Sequence, residues 1–197
     1  MLVSKLELKK LLLCNVHIGT KHVDIIVKKY VWRRRKDGVF IFNILKTLEK
    51  INIASKAIVA VNSPEEIFAI SCNEMAEKGV LKFSFYSGCK NSVGRWTPGR
   101  MTNQLCKNFL EPRLVLISNP KTDRQPLIEA SYSNIPSIAF CNGETSPEYV
   151  DIIIPGNTTN KFSIAVLWWH LTREVLRLKG TLSYNDEWKI KIDSFLA

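Results

Sequence analysis

Six short apolar runs punctuate this chain, and they constrain its fold more than any other feature. They read VFIF (39–42), AIVAV (57–61), LKFSF (81–85), LVLIS (114–118), IPSIAF (135–140) and VDIII (150–154). Between them lie stretches with helical character at 44–51, 123–133 and 161–179. A further helix is expected to open at Ser63, with Pro64 at its first position and Glu66 closing a capping box. The last long helix starts after polar Asn157 to Asn160 and stops at Gly180, with Arg177 and Lys179 at its basic end. Apolar runs that alternate with helices belong to parallel strands buried on both faces. The expected fold is α/β, a three-layer α/β/α sandwich around a central, mostly parallel sheet. With 197 residues and 46% apolar content, one domain over 1–180 is expected, followed by a short extension, 181–197, running over the outside.

Charge is distributed unevenly. Residues 1–60 hold 13 Lys/Arg against 4 Asp/Glu, whereas residues 61–197 hold 15 against 14, so nearly all of the net +10 lies in the first third. A localised positive field suits a polyanion, either nucleic acid or an anionic membrane. The longest apolar stretches, 11–14 and 164–169, fall far short of the roughly 20 residues that a membrane span needs. The N-terminal 1–15 reads as a short, weakly amphipathic helix docked by its leucines, and it lacks a signal-peptide core. A cytoplasmic protein with no membrane partner is expected.

Catalytic and metal chemistry finds little support. Five scattered cysteines form no CxxC pair, and with His17, His22 and His170 they make no zinc spacing, so reduced intracellular thiols are the simpler reading. The loop NSVGRWTPGRMTNQ (91–104) follows a strand-like run and carries a GxxxxG spacing, Gly94 to Gly99. A phosphate-cradling loop would continue with Lys and then Ser/Thr, but Arg100 and Met101 stand there, and Pro98 removes a backbone donor. Asp123 reads as a helix cap and Glu129 as a solvated helix residue. No catalytic set, cofactor or small-molecule substrate is expected.

The strongest signal is KKYVWRRRK (28–36), followed by the turn Asp37-Gly38. Lys28, Lys29, Arg33, Arg34, Arg35 and Lys36 are suited to phosphates, and the interleaved Tyr30 and Trp32 to bases or sugars. The bland alternative is a solvated basic turn between two strands with Tyr30 and Trp32 packed inward. The charge excess around it, together with Arg95 and Arg100 on the glycine-rich loop, favours RNA. In that reading Gly94 and Gly99 allow close backbone approach, and Trp96 either stacks on RNA or packs in the core. Trp168 and Trp169 read as core.

Several motifs in order resemble a known family. They are HIGT (17–20), GRWTPG (94–99) with TNQ (102–104), EPRLV (111–115), QPL (125–127) with EASY (129–132), IP (135–136), YVD (149–151), and WW (168–169) with REVLR (173–177). Together they resemble the second protein of the small ribosomal subunit, in its eukaryotic and archaeal branch, whose eukaryotic member is also called SA or laminin-receptor precursor. The resemblance runs over about residues 6–182. It implies a flavodoxin-like domain without enzymatic activity, placed where head meets body, touching small-subunit ribosomal RNA and neighbouring small-subunit ribosomal proteins and supporting subunit assembly. Trp96, Arg100 and Met101 stand where relatives usually have Phe, Thr and Phe, so extra positive charge is expected in that loop. The long acidic C-terminal extension of animal members is absent from this sequence, which suggests a short form.

Overall fold

The computed structural model describes residues 5–184 and 186–197. Helix α1 (Lys5–Leu13) is followed by the single turn α2 (Ile25–Lys28) and an antiparallel hairpin, β1 (Val31–Arg34) and β2 (Phe40–Phe42). The remainder runs α3 (Ile44–Ala60), β3 (Ile67–Ser71), α4 (Glu74–Ser87), β4 (Lys90–Val93), β5 (Leu114–Ile117), α5 (Arg124–Tyr132), β6 (Ser137–Cys141), β7 (Ile152–Pro155) and α6 (Lys161–Leu178). The five later strands form one parallel sheet in the order β4-β3-β5-β6-β7. That is the flavodoxin-like arrangement, whose ligand crevice lies where the strand order reverses, between β3 and β5.

Alternation along each strand divides the core in two. Ile67, Ala69, Leu114, Leu116, Ile138, Phe140 and Ile154 face α3, α4 and α6. Phe68, Ile70, Val115, Ile117, Ala139, Cys141 and Ile153 face α5, the loop after β4, and Val27, Tyr30 and Phe42 from the N-terminal segment. Trp168 lies at the centre of the first layer, against Phe83 and Phe140 at ring distances of 5.3 and 5.1 Å. Helix α1 docks there through Leu11 and through Glu7, which pairs with buried Arg173 at 2.6 Å. Leu12 and Leu13 point outward, and Met1 to Ser4 lie outside the described residues. His170 is fully buried among Arg173, Arg177 and Lys10, and burial first, then those cations, push its pKa well below the usual value.

Several sequence expectations need correction. LKFSF (81–85) is not a strand but the last turns of α4, which Asn73 caps by accepting from the Met75 N–H and left-handed Gly88 ends. Its buried residues, Ala76, Gly79, Val80, Phe83, Ser84 and Ser87, trace a helical stripe, and Phe85 is 77% exposed. AIVAV (57–61) likewise prolongs α3, continuing the stripe of Leu48, Ile51, Ala54 and Ile58. The capping box at Ser63 is only a 3-10 turn (Pro64–Glu66) with no side-chain cap, and the strand β3 follows at once. VFIF (39–42) belongs to the hairpin and not to the central sheet. The loop 94–101 therefore follows β4. The segment after 180 does more than cover the surface: Phe195 is fully buried beside Tyr86 and Trp188.

Candidate nucleic-acid interface

The hairpin is built to present its cations outward. A four-residue turn closes it, with the Arg35 N–H donating to the Val39 carbonyl at 2.8 Å and Gly38 in the left-handed region at φ 82°. The register slips between Val31 and Arg33, so Trp32 is the extra residue of a bulge. Trp32 is 68% exposed, while Tyr30 two residues earlier is buried. Lys28, Lys29, Arg33, Arg34, Arg35 and Lys36 are all exposed. Arg34 lies over the Phe40 ring at 5.0 Å and donates to the Gly38 carbonyl, which stiffens the turn. Arg35 pairs loosely with Asp37 at 3.6 Å. A rigid ribbon with one free indole among exposed cations can bind phosphates and offer a stacking face.

The segment 17–20 braces this ribbon. The Gly19 N–H donates to the Phe40 carbonyl at 2.9 Å, the Phe40 N–H to Thr20, and the Phe42 N–H to His17. A Cβ on Gly19 would stand 2.9 Å from the Phe40 oxygen and 3.0 Å from the Phe42 ring, closer than packing allows. Gly19→Ala is therefore expected to unseat the hairpin, at a cost of about 1–3 kcal/mol. Thermal unfolding should show the loss, and hydrogen exchange should place it in residues 31–42. The brace is fixed in turn to the loops after β6 and β7: Asp24 N–H donates to Gly143, and Asn157 N–H to Val16.

The glycine-rich loop sits on the same face of the sheet but toward its β4 edge, over β3 and β4, where the Gly94 N–H donates to the Ser71 carbonyl. Arg95 and Gly94 are exposed, and nothing lies within 4 Å of a Cβ on Gly94. Trp96 is buried, edge-on to Phe68, so of its two expected roles the structure gives it packing. Arg100 turns inward over Trp96 at 4.9 Å and donates to the Ser92 hydroxyl at 2.9 Å. The extra positive charge expected in this loop from Arg100 is thus held against Trp96 and Ser92.

The loop does cradle an anion, but one from its own chain. Glu129, 2% exposed, accepts from the Gly99 N–H at 2.9 Å, Trp96 Nε1 at 3.2 Å, the Met101 N–H at 3.2 Å and Gln125 Nε2 at 3.0 Å. Burial raises the Glu129 pKa, but these four donors outweigh it and hold the carboxyl below its ordinary value. The reading of Glu129 as solvated is thus wrong. No spacing pattern could show that three of its four partners stand about 30 residues away. Gly99, at φ 88°, allows the backbone to approach this carboxylate.

The crevice between β3 and β5 is closed in the same manner. Fully buried Asp123 accepts from the Cys72 N–H at 2.8 Å, the Asn119 N–H at 3.2 Å and the Thr122 hydroxyl at 3.2 Å. Its carboxylate occupies donors that a ligand phosphate would use in this fold. Burial pushes the pKa of the Cys72 thiol, next to Asp123, above its ordinary value, and does the same elsewhere for Cys89 and, up to about 12, for Cys141. Among the described residues, no group of three or more His, Cys, Asp or Glu is placed to hold a metal, and no helix is long and apolar enough to cross a membrane.

Similarity to known proteins decides what kind of protein carries this ribbon. A family model described as Ribosomal protein S2 matches residues 104–177, from just before β5 to the end of α6. The small ribosomal subunit protein uS2 of Drosophila persimilis is 44% identical over 189 residues, which cover 96% of this chain and 70% of its own. The chain belongs to the uS2 family. The uS2 proteins of Diaphorina citri and Urechis caupo are also 44% identical over 96% of the chain, covering 63% and 60% of their own lengths. This uS2-family chain thus spans between 60% and 70% of the length of these relatives. They are named as ribosomal proteins and not as enzymes. The hairpin lies outside the stretch matched by the family model but within the range of lengths shared with whole relatives.

Proposed function

We propose that this chain is a structural constituent of the small (40S) subunit of the cytosolic ribosome, in the eukaryotic and archaeal SA branch of uS2. It binds small-subunit ribosomal RNA and neighbouring small-subunit ribosomal proteins at the head–body junction, and it is needed for subunit assembly and translation. The observation that carries the RNA contact is the braced hairpin, with six exposed cations around a free Trp32. Lys28, Lys29 and Arg33 to Lys36 neutralise phosphates, and Trp32 stacks. Arg95, beside the open Gly94, makes a separate and smaller contact, while Trp96, Gly99 and Arg100 shape the loop that presents it. The self-filled sites at Glu129 and Asp123 favour this reading over a nucleotide-dependent enzyme.

Ultraviolet crosslinking of intact cells, followed by mass spectrometry of nucleotide-bearing peptides, tests the assignment. The expected adduct lies in the hairpin peptide, on or beside Trp32. Adducts confined to α4 or α6, with none in residues 28–42, would move the RNA contact elsewhere.

A further inference from the structure

Beside the hairpin lies a second cluster of cations that no sequence pattern singles out. Lys46 and Lys50 stand one turn apart on α3, so they share one helix face. With Lys29, Tyr30 and Glu49 they line an open hollow of about 310 Å³. The Lys29 and Lys50 ammonium groups stand over the buried Tyr30 ring at 5.1 and 5.8 Å, and the Lys46 ammonium donates to the Lys29 carbonyl. Three lysines against one carboxylate leave the hollow with a net charge of +2. Its floor is an aromatic ring, which lowers the cost of holding these like charges together. The position is continuous with the RNA ribbon, since Tyr30 leads directly into β1, and the N–H of Asn43, whose side chain caps α3, donates to the Tyr30 carbonyl.

We infer that this hollow is a second phosphate subsite, which takes a backbone phosphate of the same RNA strand that the hairpin grips. The inference rests on the RNA reading of the hairpin and extends it from the turn onto α3. The hollow makes a polydentate contact from ammonium groups, whereas the turn offers guanidinium forks. RNA reaching it would therefore be held by position along its backbone and not by sequence.

The test measures binding of the full-length chain to purified small-subunit ribosomal RNA across a salt series. In Lys46→Gln/Lys50→Gln the slope of log affinity against log salt should flatten by about 0.7–0.9, for the one lost phosphate contact. Lys46→Arg/Lys50→Arg should keep the wild-type slope. Because Lys46 also ties down the Lys29 carbonyl, Lys50→Gln alone gives a second reading, with an expected flattening in the same direction and no larger than about 0.7–0.9. A wild-type slope in both Gln variants, with a flattened slope in an Arg33/Arg34/Arg35 variant, would overturn the subsite and leave the hairpin reading standing. Wild-type slopes in all of these variants would remove the RNA reading itself, and the subsite with it.

Discussion

Changing Arg33, Arg34 and Arg35 together to glutamate is expected to weaken incorporation of this chain into small subunits by roughly a hundredfold. Three phosphate contacts are lost, and three new negative charges then face a polyanion. The salt dependence of RNA binding should flatten by about 2–3 in log units per log unit of salt. The fold should survive, because all three side chains are exposed. Their internal partners are few: the Gly38 carbonyl and the Phe40 ring for Arg34, and a solvent-exposed Asp37 for Arg35. Surface contacts of that kind contribute little. The melting temperature should therefore stay within about 2 °C of wild type. Occupancy of the triple variant on subunits, measured by quantitative mass spectrometry, checks the first part, and circular dichroism melting checks the second. Normal occupancy would take the hairpin out of the RNA contact.

The second large effect is expected at Glu129 and concerns stability. Glu129→Ala leaves the Gly99 and Met101 N–H groups and the Trp96 indole N–H without their acceptor. A buried donor left unpaired costs about 1–3 kcal/mol, and the loop can recover part of this by relaxing toward water. A net loss of about 3 kcal/mol is expected, which lowers the melting temperature by about 6–12 °C. The pH dependence has a definite sign. The Glu129 carboxyl is held below its unfolded value, so its stabilising share is complete above about pH 4.3 and disappears as pH falls through the lower, folded value. Glu129→Gln should therefore be destabilised at neutral pH and lose less than wild type on further acidification. Equal acid sensitivity of the two proteins would mean that the loop is held by something other than the ionised carboxylate.

Much of the parallel sheet was legible because β5 and β6 are runs of buried apolar residues between turn signals, and α6, buried on every face from Ser163 to Val175, has a clear start and stop. Two of the errors share one physical origin. LKFSF and AIVAV are short and apolar, and such a run looks alike in a buried strand and at the end of a buried helix. Only the stripe begun upstream, at Ala76 for one and Leu48 for the other, distinguishes the two. β3 was hidden by Pro64-Glu65-Glu66, which announces a helix that never extends beyond one turn.

The candidate interface was legible in composition but not in geometry. The Asp37-Gly38 turn and the flanking cations are local and readable. The outward turn of Trp32 depends on a bulge, and the inward turn of Arg100 depends on Ser92 and Trp96. The pairing of the glycine-rich loop with Glu129, and of Cys72 with Asp123 across 51 positions, arises only once the chain has folded.

Sedimentation of native lysate through a sucrose gradient, before and after a high-salt wash, tests the central claim most directly. An integral constituent of the small subunit runs with that subunit in both gradients, at a stoichiometry near one copy per particle. A chain found only near the top of the gradient, free of subunits even before the wash, would contradict the ribosomal assignment.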